Sequence, residues 1–95
     1  MSRGMGQITD LQTERLKQLE KKLNALLRQS AISDTDFAQA LYDIVSSGAV
    51  SEQQLRDEFG LTGGAVTRWT TGKNLPQPDI RPIILRWTLS VLAGA

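Results

Sequence analysis

Gly60 splits the stretch from Ser51 to Gly72 into two short apolar-faced segments, and this constrains the chain more than any other feature. Ser51 suits the start of a first short helix, because its hydroxyl accepts a hydrogen bond from a backbone N–H left free there. That segment carries Leu55 and Phe59. Thr62 stands in the same relation to a second segment carrying Val66 and Trp69, which Gly72 stops. Helices this short are marginal in water by themselves. They must pack on each other, and Leu55, Phe59, Leu61, Val66 and Trp69 are spaced to meet across the turn. Glycine at position 60 supplies the left-handed backbone conformation that closes the first segment and redirects the chain.

The flanks read as helical too. Leu16, Leu19, Leu23 and Leu26 recur at helical spacing and form one apolar stripe over residues 8–29, with charged residues mostly on the other faces. The stripe is too short for a stable coiled coil, so it must dock, either on its own chain or on a second copy. Residues 1–7 carry two glycines and little to bury, which predicts a disordered leader. Ser30 to Thr35 breaks the first helix, and Asp34 or Thr35 is placed to cap a second. Phe37, Ala40, Leu41, Ile44 and Val45 form its inward face, and Gly48 ends it. Pro76 and Pro78 predict an extended link, after which Asp79 caps a last helix from Ile80 to about Leu92. In that helix Ile80, Ile83, Ile84, Trp87 and Val91 share one face, and Leu85, Leu89 and Leu92 share the opposite one. One face needs a cover, from the leucine stripe or from a partner subunit, and a homodimer is the expected answer. No strand-like alternation occurs. The expected fold is all-α, a bundle of roughly four or five helices, with residues 34–93 forming the main domain behind the leucine-striped helix.

Composition excludes several functions. With no cysteine and no histidine, the chain has no disulfide frame, no catalytic thiol, no imidazole base and none of the commonest metal ligands. No catalytic residue, metal site or cofactor is expected, and Asp34 and Asp36 lack an accompanying base or ligand set. The start of the chain does not read as a signal peptide, and the most apolar stretch, Ile83 to Ala93, is too short to span a bilayer and contains Arg86. A cytoplasmic protein without a membrane partner is expected. The net charge is only +1, but it is unevenly spread. Residues 1–30 carry six Lys/Arg and three Asp/Glu, residues 31–61 one and six, and residues 62–95 four and one. An acidic middle between basic ends fits a protein that shows one basic face to an anion.

Two short helices joined by a glycine-centred turn make a helix-turn-helix. The chain resembles the lambda-repressor-like (Cro-type) helix-turn-helix family in Val50-Ser51-Glu52-Gln53-Gln54-Leu55, Phe59-Gly60-Leu61-Thr62, Val66-Thr67-Arg68-Trp69 and Gly72-Lys73-Asn74-Leu75-Pro76. The run TRWTTGKNLP carries the most specific part of the likeness, and the match covers about residues 36–92. The resemblance implies a recognition helix over residues 62–71 that enters the major groove of duplex DNA. Arg68 is then placed to reach a guanine edge, and Thr62 and Thr67 to make shorter contacts to bases or phosphates. Lys73 and Asn74 touch the sugar-phosphate backbone, and Gln53 donates to phosphate at the start of the preceding helix, where Glu52 is repelled.

Three positions depart from the family pattern. Arg56 stands where a small alanine is usual, and Thr70 where glutamate is frequent. Gly63 and Gly64 replace the side chains that usually read bases, which leaves close backbone approach as their contribution. The sequence thus supports two functions. One is a DNA-binding transcriptional regulator, such as a dimeric repressor. The other is a protein of the same fold that masks another transcription regulator, an anti-activator, using the bare glycine surface to let a partner helix approach.

Overall fold

A computed structural model of the chain describes residues 2–94, with side chains from Leu11 onward. All regular structure among the described residues is helical: α1 (Ser2–Leu27), α2 (Asp34–Ser46), α3 (Glu52–Phe59), α4 (Ala65–Thr70) and α5 (Arg81–Gly94). The chain is a small all-α bundle, as its patterning predicts.

Local chemistry sets most helix ends. Ser51 caps α3 by accepting from Gln54 N–H at 3.1 Å, while the Gln54 side chain accepts from Ser51 N–H at 2.9 Å. This reciprocal pair satisfies two backbone donors at once. Gly60 closes α3 in the left-handed region, at φ 62. Other boundaries differ from expectation. Ser33, not Asp34 or Thr35, caps α2, accepting from Asp36 N–H at 3.1 Å. At the start of α5 the Ile80 carbonyl accepts the first helical bond, from Ile84 N–H, so Ile80 and not Asp79 holds the capping position. α1 is already helical at Ser2, where a disordered leader over residues 1–7 is expected; Met1 lies outside the described residues. Once a helix is nucleated, each further residue adds one hydrogen bond.

The leucine stripe packs inside the chain. Leu19, Leu23 and Leu26 are buried in one cluster with Phe37, Leu41, Ile44, Val50, Leu55, Val66, Trp69, Ile84 and Leu85. α1 lies against both α2 and α5. Both Ile84 and Leu85 are fully buried, although they belong to faces of α5 that the sequence reading sets opposite each other. α1 therefore covers the part of α5 around Ile84 and Leu85, while Ile80 and Ile83 stay exposed, at 37% and 49%. The leucine stripe itself is buried within one chain.

Among the described residues one charged side chain belongs to this interior. Arg81 is only 6% exposed. Its Nη2 pairs with Asp34 Oδ1 at 2.8 Å, Nη1 donates to the Ile32 carbonyl at 2.8 Å, and Nε donates to the Pro76 carbonyl at 3.1 Å. The guanidinium carbon lies 5.9 Å from the centre of the Phe37 ring. A single side chain thus ties α5 to the α1–α2 link, to the start of α2, and to the segment that follows α4.

Candidate nucleic-acid interface

The two short helices of the expected motif, α3 and α4, are held by their apolar sides. Leu55 is fully buried, as are nearly all of Ala65, Val66 and Trp69. Trp69 meets Phe37 of α2 edge-on, with ring centres 6.1 Å apart, which orients α4 against the core. Phe59 is half-buried and packs edge-on against Trp87 of α5, at 5.4 Å. The opposite side of α4 is open, with Thr67 and Thr71 exposed.

α4 is shorter than the recognition helix expected over residues 62–71. It begins at Ala65, and Thr62, Gly63 and Gly64 form the turn before it. Thr62 makes no side-chain cap; its carbonyl accepts from Ala65 N–H at 3.2 Å, and Gly64 holds the capping position at φ 85. A left-handed residue cannot continue a right-handed helix, and only glycine takes this conformation without a steric penalty. The two glycines therefore carry no helix-interior cost. They make room instead: a β-carbon at Gly64 would stand 3.1 Å from Arg68 Nη1. The guanidinium of Arg68 thus lies back over the start of α4, in the place that a side chain at Gly64 would fill.

The loop after α4 is equally determined. Lys73 N–H donates to the Arg68 carbonyl at 2.8 Å, and Gly72 N–H to the Trp69 carbonyl at 3.0 Å. The indole N–H of Trp69 donates to the Asn74 carbonyl at 2.9 Å. Asn74 itself sits at φ 51, a conformation that asparagine tolerates better than most residues. Trp69 is thus both a core residue and the clamp on the loop that exposes Lys73 and Asn74. This accounts for the spacing within TRWTTGKNLP. The hydroxyls of Thr70 and Thr71 donate back to carbonyls of α4, at 2.8 Å to Thr67 and 2.9 Å to Arg68, and so are engaged locally.

The structure brings Thr62, Gly63, Gly64, Thr67, Arg68, Lys73 and Asn74 to one continuous stretch of turn, helix and loop. Gln53 behaves differently. Its amide nitrogen donates to Asp57 Oδ1 at 2.9 Å, and its amide oxygen accepts from Arg56 Nη2 at 2.8 Å. The side chain expected to donate to phosphate is therefore engaged along α3. Two cations not assigned a role by sequence stand out, the buried Arg81 and the half-buried Arg56. Arg56 carried a signal as a departure from the family pattern; Arg81 carried none.

Charge is arranged around this stretch. Among the described residues the ion pairs are Lys22–Asp43 and Arg81–Asp34, so no carboxylate pairs with Arg68 or Lys73. Asp34 borders a shallow groove beside the loop, formed with Tyr42, Thr71 and Gly72, but it is paired with Arg81. Asp43 faces α1, bound to Lys22 and Gln39. Asp43→Asn is therefore expected to change duplex affinity by less than about 0.5 kcal/mol, as for a surface change away from a binding face; a tenfold change in a titration would place the interface elsewhere. Comparisons with protein-family models, curated proteins and solved structures found no match to this chain.

Proposed function

We propose that the protein is a sequence-specific DNA-binding transcriptional regulator that presents the turn at Thr62–Gly64, α4 and the Lys73–Asn74 loop to the major groove. The observation that carries this reading is the placement of two carboxylate-free cations on one rigid stretch: Arg68 over the start of α4, and Lys73 in a loop clamped by Trp69. In a helix-turn-helix the start of the second helix reads base edges, and Arg68 reaches that end because the glycines leave it room. A guanidinium there offers two parallel donors to a guanine edge. Thr62 and Thr67 add shorter contacts, and Lys73 and Asn74 meet the backbone. Such a regulator acts in the cytoplasm, and among the described residues no helix is long and apolar enough to cross a membrane. The homodimer expected of such a regulator would use the α5 face where Ile80 and Ile83 stay exposed, since the leucine stripe is buried within the chain. The alternative, an anti-activator that docks a partner helix on bare glycines, is less well supported because the Arg68 guanidinium overlies Gly64.

A selection from random duplex DNA at physiological salt, with and without a large non-specific excess, tests the reading. Discrimination between selected and random duplex is the expected result; its absence rejects the regulator. Arg68→Ala should cost about 1–3 kcal/mol and relax preference at one base position. Lys73→Ala should weaken all duplexes alike and flatten the salt dependence by about one counterion.

A further inference from the structure

Arg56 occupies a position that packing alone does not explain. It lies on α3, half-buried, with its guanidinium against the turn: a β-carbon at Gly63 would stand 3.9 Å from Nη1. The neighbouring glycine, Gly64, lies under Arg68. Two guanidinium groups are thus set over consecutive glycines, and among the described residues neither pairs with a carboxylate. The acid nearest in sequence, Asp57, accepts from Gln53 instead. Arg56 Nε is enclosed and has no partner, Nη2 is held by Gln53 Oε1 at 2.8 Å, and Nη1 has no acceptor among the described residues. An arginine with an orientation fixed by one neighbour and donors left without a protein partner is suited to meet an anion.

Resting on the DNA-binding reading above, we infer that Arg56 is the residue of α3 that grips a backbone phosphate, and that Gln53 is its positioning residue. In this docking geometry the first helix of the pair crosses the sugar-phosphate backbone while the second enters the groove. Arg56 on α3 and Arg68 on α4 then divide the work, one holding register and the other reading a base. The chain Asp57–Gln53–Arg56 fixes the guanidinium without placing a charge against it: the Asp57 carboxylate is taken up by the Gln53 amide, and only the neutral amide oxygen faces Arg56. The phosphate contact expected of Gln53 is thereby transferred to its neighbour.

Salt titration of duplex binding separates the possibilities. Arg56→Gln is expected to weaken specific and random duplex alike, by about tenfold at physiological salt, and to lower the slope of log affinity against log salt by about 0.9, the release expected for one phosphate contact. Arg56→Lys should return the slope while recovering only part of the affinity, because a lysine cannot use the Gln53 orientation. Gln53→Ala should weaken binding less and leave the slope as in the wild type. An unchanged slope in Arg56→Gln, with the wild type binding normally, overturns the assignment and leaves the regulator standing. Altered preference at one base position in Arg56→Gln also overturns it, since Arg56 then reads sequence. Failure of the wild type to bind any duplex overturns both readings together.

Discussion

Trp69→Ala is expected to unfold the domain or bring it close to unfolding. Trp69 is 7% exposed and joins the buried cluster of the described residues. Truncating a buried aromatic typically costs about 3–5 kcal/mol, through lost transfer energy and the cavity left behind. A domain of this size has a margin of about 5–15 kcal/mol. Here two specific contacts go as well: the edge-on packing with Phe37 and the indole donation to the Asn74 carbonyl. The expected outcome in thermal melting is a fall of roughly 12–40 °C, taking about 4–8 °C per kcal/mol at this length. Trp69→Phe separates the two roles. It keeps most of the buried ring, so stability should fall by about 1 kcal/mol for the lost hydrogen bond. It releases the Lys73–Asn74 loop, so duplex affinity should fall further than stability predicts. A Trp69→Ala protein that melts like the wild type would show that α4 is not packed as described.

Arg81→Met carries the second large effect. Methionine retains much of the apolar stem but removes every donor. The Ile32 and Pro76 carbonyls then lose their partner, and the ring of Phe37 loses its cation. Hydrogen bonds from charged groups contribute about 1.5–3 kcal/mol each, but water reaching the freed carbonyls offsets part of that. Asp34 is 77% exposed, so its side chain is resolvated and its loss as an ion-pair partner adds little. A net cost of about 2–4 kcal/mol is expected in denaturant unfolding. Asp34→Asn, by contrast, should cost less than about 1 kcal/mol. Equal losses in the two variants would mean that the ion pair, and not the carbonyl bonds, holds the segments together.

The local half of this structure was legible in the sequence because its causes are local. Ser51 caps α3, a glycine that must turn left closes it, and the 3.6-residue period puts Leu55, Val66 and Trp69 on inner faces; the return bond from Ser51 N–H to the Gln54 side chain was not read from the sequence. The exposure of Thr67, Lys73 and Asn74, candidates for the proposed interface, follows the same period, because Trp69 fixes the inner side. The start of α4 was misread for a local reason as well. Thr62 offers a capping oxygen, but two glycines disfavour helix, and Gly64 adopts a conformation that ends the turn later.

What only the tertiary structure decided depends on partners distant along the chain. An apolar stripe states that it must be covered; it does not state by what, and the Leu19–Leu26 face found α2 and α5 of its own chain. Arg81 reads in sequence as one more surface cation. Its burial depends on the carbonyls of Ile32 and Pro76, and carbonyls are the same at every residue, so no side-chain pattern could announce them. Gln53 and Arg56 could both be named as polar residues of α3. That Gln53 bridges Asp57 and Arg56, and that the Arg56 guanidinium lies beside Gly63, depends on hydrogen-bond geometry that periodicity does not encode.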